Sequence, residues 1–333
     1  YEIGVRLVGS EMCIRDSLLL DRPFRISGPT FLYMDNDDTM DSVCVKMEKE
    51  LQASSLTGFR LLASVYGYKE HIRTGAYRII PSENIYKVFI RLERGHQTPV
   101  RLVLPSVRTL DRLARSVSRQ IMADSSQIAR LLNDTVYLKE LGFTRETLPA
   151  FFIPNTYEVY WNMTALDFMK RMQKEYKRFW NAERVAKAQE VGLTPVEVAT
   201  LASIVEEETA NNTEKPVIAG LYLNRLRIGM PLQADPTVKF GLQDFGLRRI
   251  LHKHLETDSP YNTYKYAGLP PGPIRIPSVV GLESVLNYQK HDYLYMCAKE
   301  DFSGTHNFAS TLSAHQANAR RYQMALNRAG IMR

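Results

Sequence analysis

Three consecutive glutamates, Glu206, Glu207 and Glu208, stand in the stretch "LASIVEEETA". The residues before them predict a helix, with Thr194 as its cap, Pro195 at the first helical position and Glu197 completing a capping box. At about 100° per residue, Val198, Leu201, Ala202 and Val205 form a buried stripe. Glu207 falls opposite that stripe and is expected in solvent. Glu206 lies above Ala199, Ala202 and Ser203, small residues that leave open space. Glu208 lies nearer the centre of the stripe, above Leu201 and Ile204. A carboxyl sheltered by apolar neighbours holds its proton closer to neutral pH, as a general acid requires. A merely charged helix end would look the same, although acids there oppose the helix dipole. Spacing alone leaves both readings open.

Other polar residues gather in Gly-, Pro- and Tyr-rich stretches. "LQADPTVKF" offers Gln233 and Asp235, and Asp before Pro commonly shapes a turn. "NTYKYAGLPPGPI" offers Asn262, Tyr264 and a stiff Pro-Pro-Gly turn. Such a turn either aims backbone groups into a groove or is purely structural. His306 and His315 lack HExxH spacing, so no metal is expected. No GxSxG elbow and no glycine-rich phosphate loop is present, which removes serine-elbow hydrolases and nucleotide enzymes. Cys13, Cys44 and Cys297 have no metal or disulfide spacing.

The elements that must position these residues divide the chain of 333 residues. A strand near Phe31 and Tyr33 leads to a helix capped by Asp37 or Asp38. A second helix follows over "SLTGFRLLASVYGY", then a strand, "GAYRII". "PSENIYKVFIRLERG" reads as a helix capped by Ser82 and stopped by Gly95, before a strand in "TPVRLVLP". Beyond Pro105 the chain reads as mostly helical until "GMPLQADPTVKFG", after which long loops rich in Gly, Pro, Asn, Tyr and His are expected, functional rather than disordered. The predicted class is α+β. A small α+β subdomain over 30–98 precedes a larger, mixed, helix-rich domain over 99–333 with Gly/Pro/aromatic loops around a groove. Net charge is +7, but bases and acids are mixed, so no nucleic-acid groove is expected. A diffuse positive surface suits an anionic polymer or membrane face. No run of about 18 apolar residues could span a bilayer.

"LASIVEEETA", "VIAGLYLNRLRIGMPLQADPTVKFG", "SPYNTYKYAGLPPGPIRIP", "YLYMCAK" and "GTHNFASTLSAH" follow one another in a single order. This series, from Thr30 to about Arg320, resembles the endolytic murein transglycosylases of the MltG type, the YceG-like family. The loop "IPNTYEVYWN" matches as well. The resemblance implies a LysM-like peptidoglycan-binding subdomain and cleavage of the β-1,4 bond between N-acetylmuramic acid and N-acetylglucosamine. It carries the catalytic role onto Glu206, with Glu208 and Ser203 in support. Asn224, Gln233, Asp235, Tyr261, Asn262, Tyr264, His306 and His315 become substrate-binding groove residues. The acid would protonate the glycosidic oxygen, then take the proton of the muramic 6-hydroxyl as that group attacks C1. One acid suffices where ordinary glycosidases use two, because the nucleophile is intramolecular. Neither cofactor nor metal is implied. The implied partners are peptidoglycan glycan strands, peptidoglycan synthases and the inner membrane, with the catalytic domain in the periplasm. A hydrolytic muramidase using Glu206 with Asp235 or Glu208, and a non-catalytic peptidoglycan-binding scaffold, stand as the alternatives.

A membrane-spanning helix is expected just before the small subdomain, and the first residues do not supply one. "RLVGSEMCIRDS" can be written as the coding of a sequencing-library adapter. Residues 1–17 therefore read as translated adapter, which removes any meaning from Cys13, and residues 18–29 as the remnant of a juxtamembrane linker. Non-native residues of this kind carry no information about the fold. The coding DNA decides the point.

Overall fold

The computed structural model describes Leu20 and residues 22–247 and 250–330. The stretch read as adapter, Cys13 included, lies outside them. The described residues form two compact units. One holds residues up to 102 together with 118–124 and 156–164; the other holds 103–117, 125–155 and 165–330.

In the first unit the strand Thr30–Met34 pairs antiparallel with Gly75–Ile79, in a register running from Thr30↔Ile79 to Met34↔Gly75. Leu32 and Met34 point inward while Tyr33 is exposed, the period-2 alternation of a half-buried strand. Helices Met40–Glu50, Thr57–Tyr66 and Ile85–Glu93 close over this face, burying Val43, Met47, Phe59, Val88 and Phe89 against Tyr68 and Tyr77. Phe24 and Ile26 join the same core. The unit therefore begins inside the stretch read as linker. A second strand pair, Val100–Val103 with Thr156–Val159, brings later chain back to this unit. The sequence boundary at 98/99 does not anticipate that return.

Two predicted caps move. Thr39, not Asp37 or Asp38, caps the first helix, its Oγ1 accepting from the Ser42 amide (3.3 Å) while Ser42 Oγ accepts from the Thr39 amide (2.9 Å). Asp38 is engaged elsewhere, by the Lys46 ammonium and the Ser42 hydroxyl, each at 2.6 Å. Asn84 rather than Ser82 caps Ile85–Glu93, accepting from the Lys87 amide at 2.9 Å.

The second unit is mainly helical. Pro195–Glu208, the glutamate helix, packs against Val279–Leu286, Lys215–Arg227 and Asp235–Leu242. Its start is as predicted: Thr194 Oγ1 accepts from the Glu197 amide, and Glu197 Oε2 accepts from the Thr194 amide at 2.7 Å. Its faces are not. Every residue from Val198 to Val205 is buried, so this is a central helix enclosed on all sides rather than one with a single apolar stripe. Stretches read as loops contain regular structure. Asp235 opens a helix, with Pro236 in its first turn, instead of shaping a turn. His306–Ala309 pairs antiparallel with Tyr295–Ala298, and helix Leu312–Arg328 follows. Among the described residues no helix is long and apolar enough to cross a membrane.

Candidate active site

The last turn of the glutamate helix sends its three carboxyl groups in three directions. Glu206 Oε2 accepts the Ser278 backbone amide at 2.8 Å, at the cap of helix Val279–Leu286, a tie between two helices. Glu207, expected in solvent, is the most heavily paired of the three. Arg108 Nε and Nη2 reach its two oxygens at 2.8 and 2.6 Å, and Arg275 Nη1 reaches Oε1 at 2.9 Å. Burial would raise this carboxyl, but Arg108 and Arg275 outweigh it and hold Glu207 below the usual carboxylate range. The outward face of the helix at Glu207 is covered by the chain around Ser106–Arg108 and Arg275, which is why little of that side chain reaches solvent. Arg275 also donates to Ser106 Oγ at 2.8 Å, and that hydroxyl donates to the Ile276 carbonyl at 2.6 Å.

Glu208 faces a cavity of about 340 Å³. Tyr222, Arg225, Gln233, Asp235, Tyr264, Tyr295 and His315 line it, with Leu221, Leu232, Met296 and Leu312 as apolar wall. The Tyr222 hydroxyl donates to Glu208 Oε1 at 2.9 Å, leaving the second oxygen for a proton. Burial pushes the Glu208 carboxyl up to about 7, and the Asp235 charge adds to this, against the opposing pull of Tyr222 and Arg225. Burial also keeps Tyr222 neutral far above its ordinary range. The Tyr264 hydroxyl donates to Asp235 Oδ1 at 2.6 Å, and burial with that bond raises Tyr264. The His315 ring stacks on Tyr295 (centroids 5.4 Å apart), its Nδ1 is buried without a hydrogen-bond partner, and burial and then Arg225 lower its proton affinity. A neutral imidazole results.

Folding therefore takes up a proton at Glu208 between the unfolded value of 4.5 and about 7. A raised carboxyl contributes stability that is full below about pH 4.5 and is lost as pH rises through about 7. Other carboxylates such as Glu207 and Glu83 are lowered and work in the opposite sense. The measurement is thus a difference. The melting temperature of Glu208→Gln minus that of the parent chain is expected to grow between pH 5 and pH 8, with both proteins in matched buffers. A flat difference would remove the raised carboxyl from the account.

Of the residues singled out from sequence, Glu208, Gln233, Asp235, Tyr264 and His315 meet in this cavity. The others stand apart from it. Glu206 is on Ser278. The Asn262 amide is fully buried and donates to the Leu255 and Thr257 carbonyls at 2.7 and 2.9 Å. Asn224 donates to the carbonyls of His291 (2.6 Å) and Tyr293 (3.1 Å). Both asparagines hold backbone rather than facing the cavity. His306 is held by Glu214, which accepts its backbone amide at 2.8 Å and lies 3.1 Å from its Nδ1. Ser203 accepts the Ile274 amide at 3.0 Å and so fastens the proline-rich turn to the glutamate helix. Tyr261 lines a different cavity.

Gln233 and Asp235 owe their placement to a backbone stitch. The Gln233 and Ala234 amides donate to the carbonyl and Oγ1 of Thr263, and Thr237 Oγ1 lies 2.8 Å from the same hydroxyl. Gln233 itself adopts a left-handed φ of +51°. Sequence reading misses Tyr222, Arg225 and Tyr295. The first two are detectable, since they are spaced i, i+3 on one helix and share a face.

Residues 32–321 match the YceG-like family. The chain belongs to that family. An endolytic murein transglycosylase of Bacillus subtilis (strain 168) is 30% identical over 233 residues, covering 66% of this chain and 64% of the relative. One of Streptococcus pneumoniae serotype 2 is 28% identical over 287 residues, covering 74% of this chain and 51% of the relative. The chain thus spans between about half and two thirds of the length of these curated relatives. A crystal structure of a YceG-like protein from Listeria monocytogenes superposes with a TM-score of 0.59 at 24% identity, covering 88% of this chain and 99% of that one. That likeness concerns the fold.

Proposed function

We propose that this chain is an endolytic peptidoglycan lytic transglycosylase. It cuts the β-1,4 bond between N-acetylmuramic acid and N-acetylglucosamine and leaves 1,6-anhydro-muramic ends. The names borne by its relatives support the reaction class. The observation that carries the reading is Glu208, a carboxyl that keeps its proton to about pH 7 while facing a cavity of hydroxyl, amide and imidazole groups. In this reading Glu208 is the acid and Glu206, expected to be catalytic, is a helix tie. The role moves two positions along the same motif.

Protonated Glu208 gives its proton to the glycosidic oxygen as the bond to C1 breaks. The resulting carboxylate then takes the proton of the muramic 6-hydroxyl, whose oxygen forms the new bond to C1. Glu208 ends protonated, ready for another strand, and no water is consumed. Tyr222, donating to one oxygen, steadies the carboxylate during the interval in which it is charged. Gln233, Asp235 oriented by Tyr264, and His315 serve sugar hydroxyl and acetamido groups. The reading implies action outside the cytoplasm at the inner membrane, beside peptidoglycan synthases, with the first unit acting as a LysM-like binding module.

One observation favours a second reading. Asp235 shares the cavity with Glu208, and a pair of carboxyl groups is what a hydrolytic muramidase uses. Mass spectrometry of digested, uncrosslinked glycan strands separates the two. Anhydro-muramic ends are expected, and reducing muramic ends in their place would replace transglycosylation with hydrolysis.

A further inference from the structure

A second cavity of about 390 Å³ lies in the same unit, lined among others by Arg108, Arg145, Phe240, Gln243 and Tyr261. Two elements line both cavities, and a third, the glutamate helix, lines the first and reaches the second only through an ion pair. On the glutamate helix, Glu208 faces the first, while its neighbour Glu207 holds Arg108 at the wall of the second. On the Asp235–Leu242 helix, Asp235 lines the first, and Phe240 with the following Gln243 lines the second. In the turn after Ser259, Tyr264 lines the first and Tyr261 the second. The two cavities therefore sit at opposite ends of one short helix. Eight residues at about 1.5 Å each make it about 12 Å long, comparable to one disaccharide repeat of a glycan.

The chemistry of the second cavity suits a sugar. The rings of Phe240 and Tyr261 lie 4.7 Å apart at 54°, presenting aromatic surface to the apolar C–H face of a pyranose. Burial, and then the Glu146 charge, push the Tyr261 hydroxyl up to about 12, so it stays a neutral donor and acceptor. Gln243 and Arg145 add polar groups at the rim. The cationic groups are offset by Asp111 and Glu146 in the same lining, which disfavours a purely anionic ligand.

We infer that this cavity is a second glycan subsite, holding a sugar of the same strand about one disaccharide from the bond at Glu208. The inference rests on the proposed function and explains a preference for cutting within strands: a chain that fills both cavities binds better than one that fills only the first.

The test measures affinity of the full chain carrying Glu208→Gln for peptide-free glycan oligomers by calorimetry. The octasaccharide is expected to bind about tenfold more tightly than the tetrasaccharide, the size of one good aromatic contact. Adding Tyr261→Ala is expected to bring that ratio close to one. Arg145→Ala, at an exposed position, is the second variant and is expected to reduce the ratio partially without affecting the fold. An unchanged ratio in both variants, with circular dichroism and melting like the parent's, would overturn the inference. So would a length gain that appears only when the oligomers carry stem peptides, since the occupant would then be peptide. Failure of every oligomer to bind would instead remove the glycan reading itself.

Discussion

Glu208→Gln is expected to lower the rate of glycan-strand cleavage by about 10²- to 10⁴-fold, the range of a lost general acid and base. Glu206→Gln is expected to cost less than about tenfold by the same yardstick, because an amide oxygen can still accept the Ser278 amide at the head of Val279–Leu286. The contrast follows from environment rather than from chemistry, since the two side chains are identical and two residues apart. Glu206 is tied to a backbone N–H, whereas Glu208 stands half-buried beside Tyr222 and a cavity. Tyr222→Phe adds a graded check. Without that hydroxyl the charged form of Glu208 loses its donor, so the alkaline limb of the pH–rate profile moves upward. Release of anhydro-muramic fragments from purified strands, measured for each variant across pH 5–9, supplies all three comparisons. The assignment fails if Glu206→Gln proves the more damaging substitution.

What the sequence reveals about this site is local in character. Thr194, Pro195 and Glu197 lie within four residues of one another, and their capping geometry forms as their order implies. The placement of Glu207 depends instead on Arg108, 99 positions away, and Arg275, 68 positions away. No periodicity within the helix carries that information. Ala199, Ala202 and Ser203 mislead in the same way: small residues read as an open flank, but they are buried because neighbouring helices approach closely there. The motif resemblance puts the catalytic role on Glu206, whereas it is Glu208, two positions on, that meets a cavity, and that meeting depends on Tyr222 from another helix.

Asn224 and Asn262 show a related ambiguity. An asparagine, on a helix like Asn224 or in a loop like Asn262, serves equally well as a sugar ligand or as a clamp on backbone carbonyls, and only the fold distinguishes these. Here both donate to carbonyls. Asp235 is different, because its sequence already holds the answer. Asp-Pro-Thr before an apolar repeat is also the signature of a helix start with proline in its first turn, and that reading puts Asp235 and Phe240 at opposite ends of one element.

Gly272→Ala is expected to destabilise the second unit by about 3 kcal/mol or more, at the severe end for overpacking. The Pro270-Pro271-Gly272-Pro273 turn runs against the backbone of Glu146. A β-carbon on Gly272 would come within 2.6 Å of the Glu146 carbonyl carbon, closer still to its oxygen, and 3.2 Å from the Thr147 amide. Those atoms are main chain and cannot rotate away, while the flanking prolines keep the turn from yielding. The strain would also reach the site. Ile274 donates to Ser203 and Arg275 pairs with Glu207, so displacing the turn loosens the end of the glutamate helix from two sides. The melting midpoint is expected to fall by about 6–12 °C for a unit of this size. Gly28→Ala, where an added β-carbon meets nothing within 4 Å, is the control and is expected to melt like the parent. If Gly272→Ala also melted like the parent, the turn would have to be free to move away from Glu146, and its role as a fixed strut for the glutamate helix would fall with it.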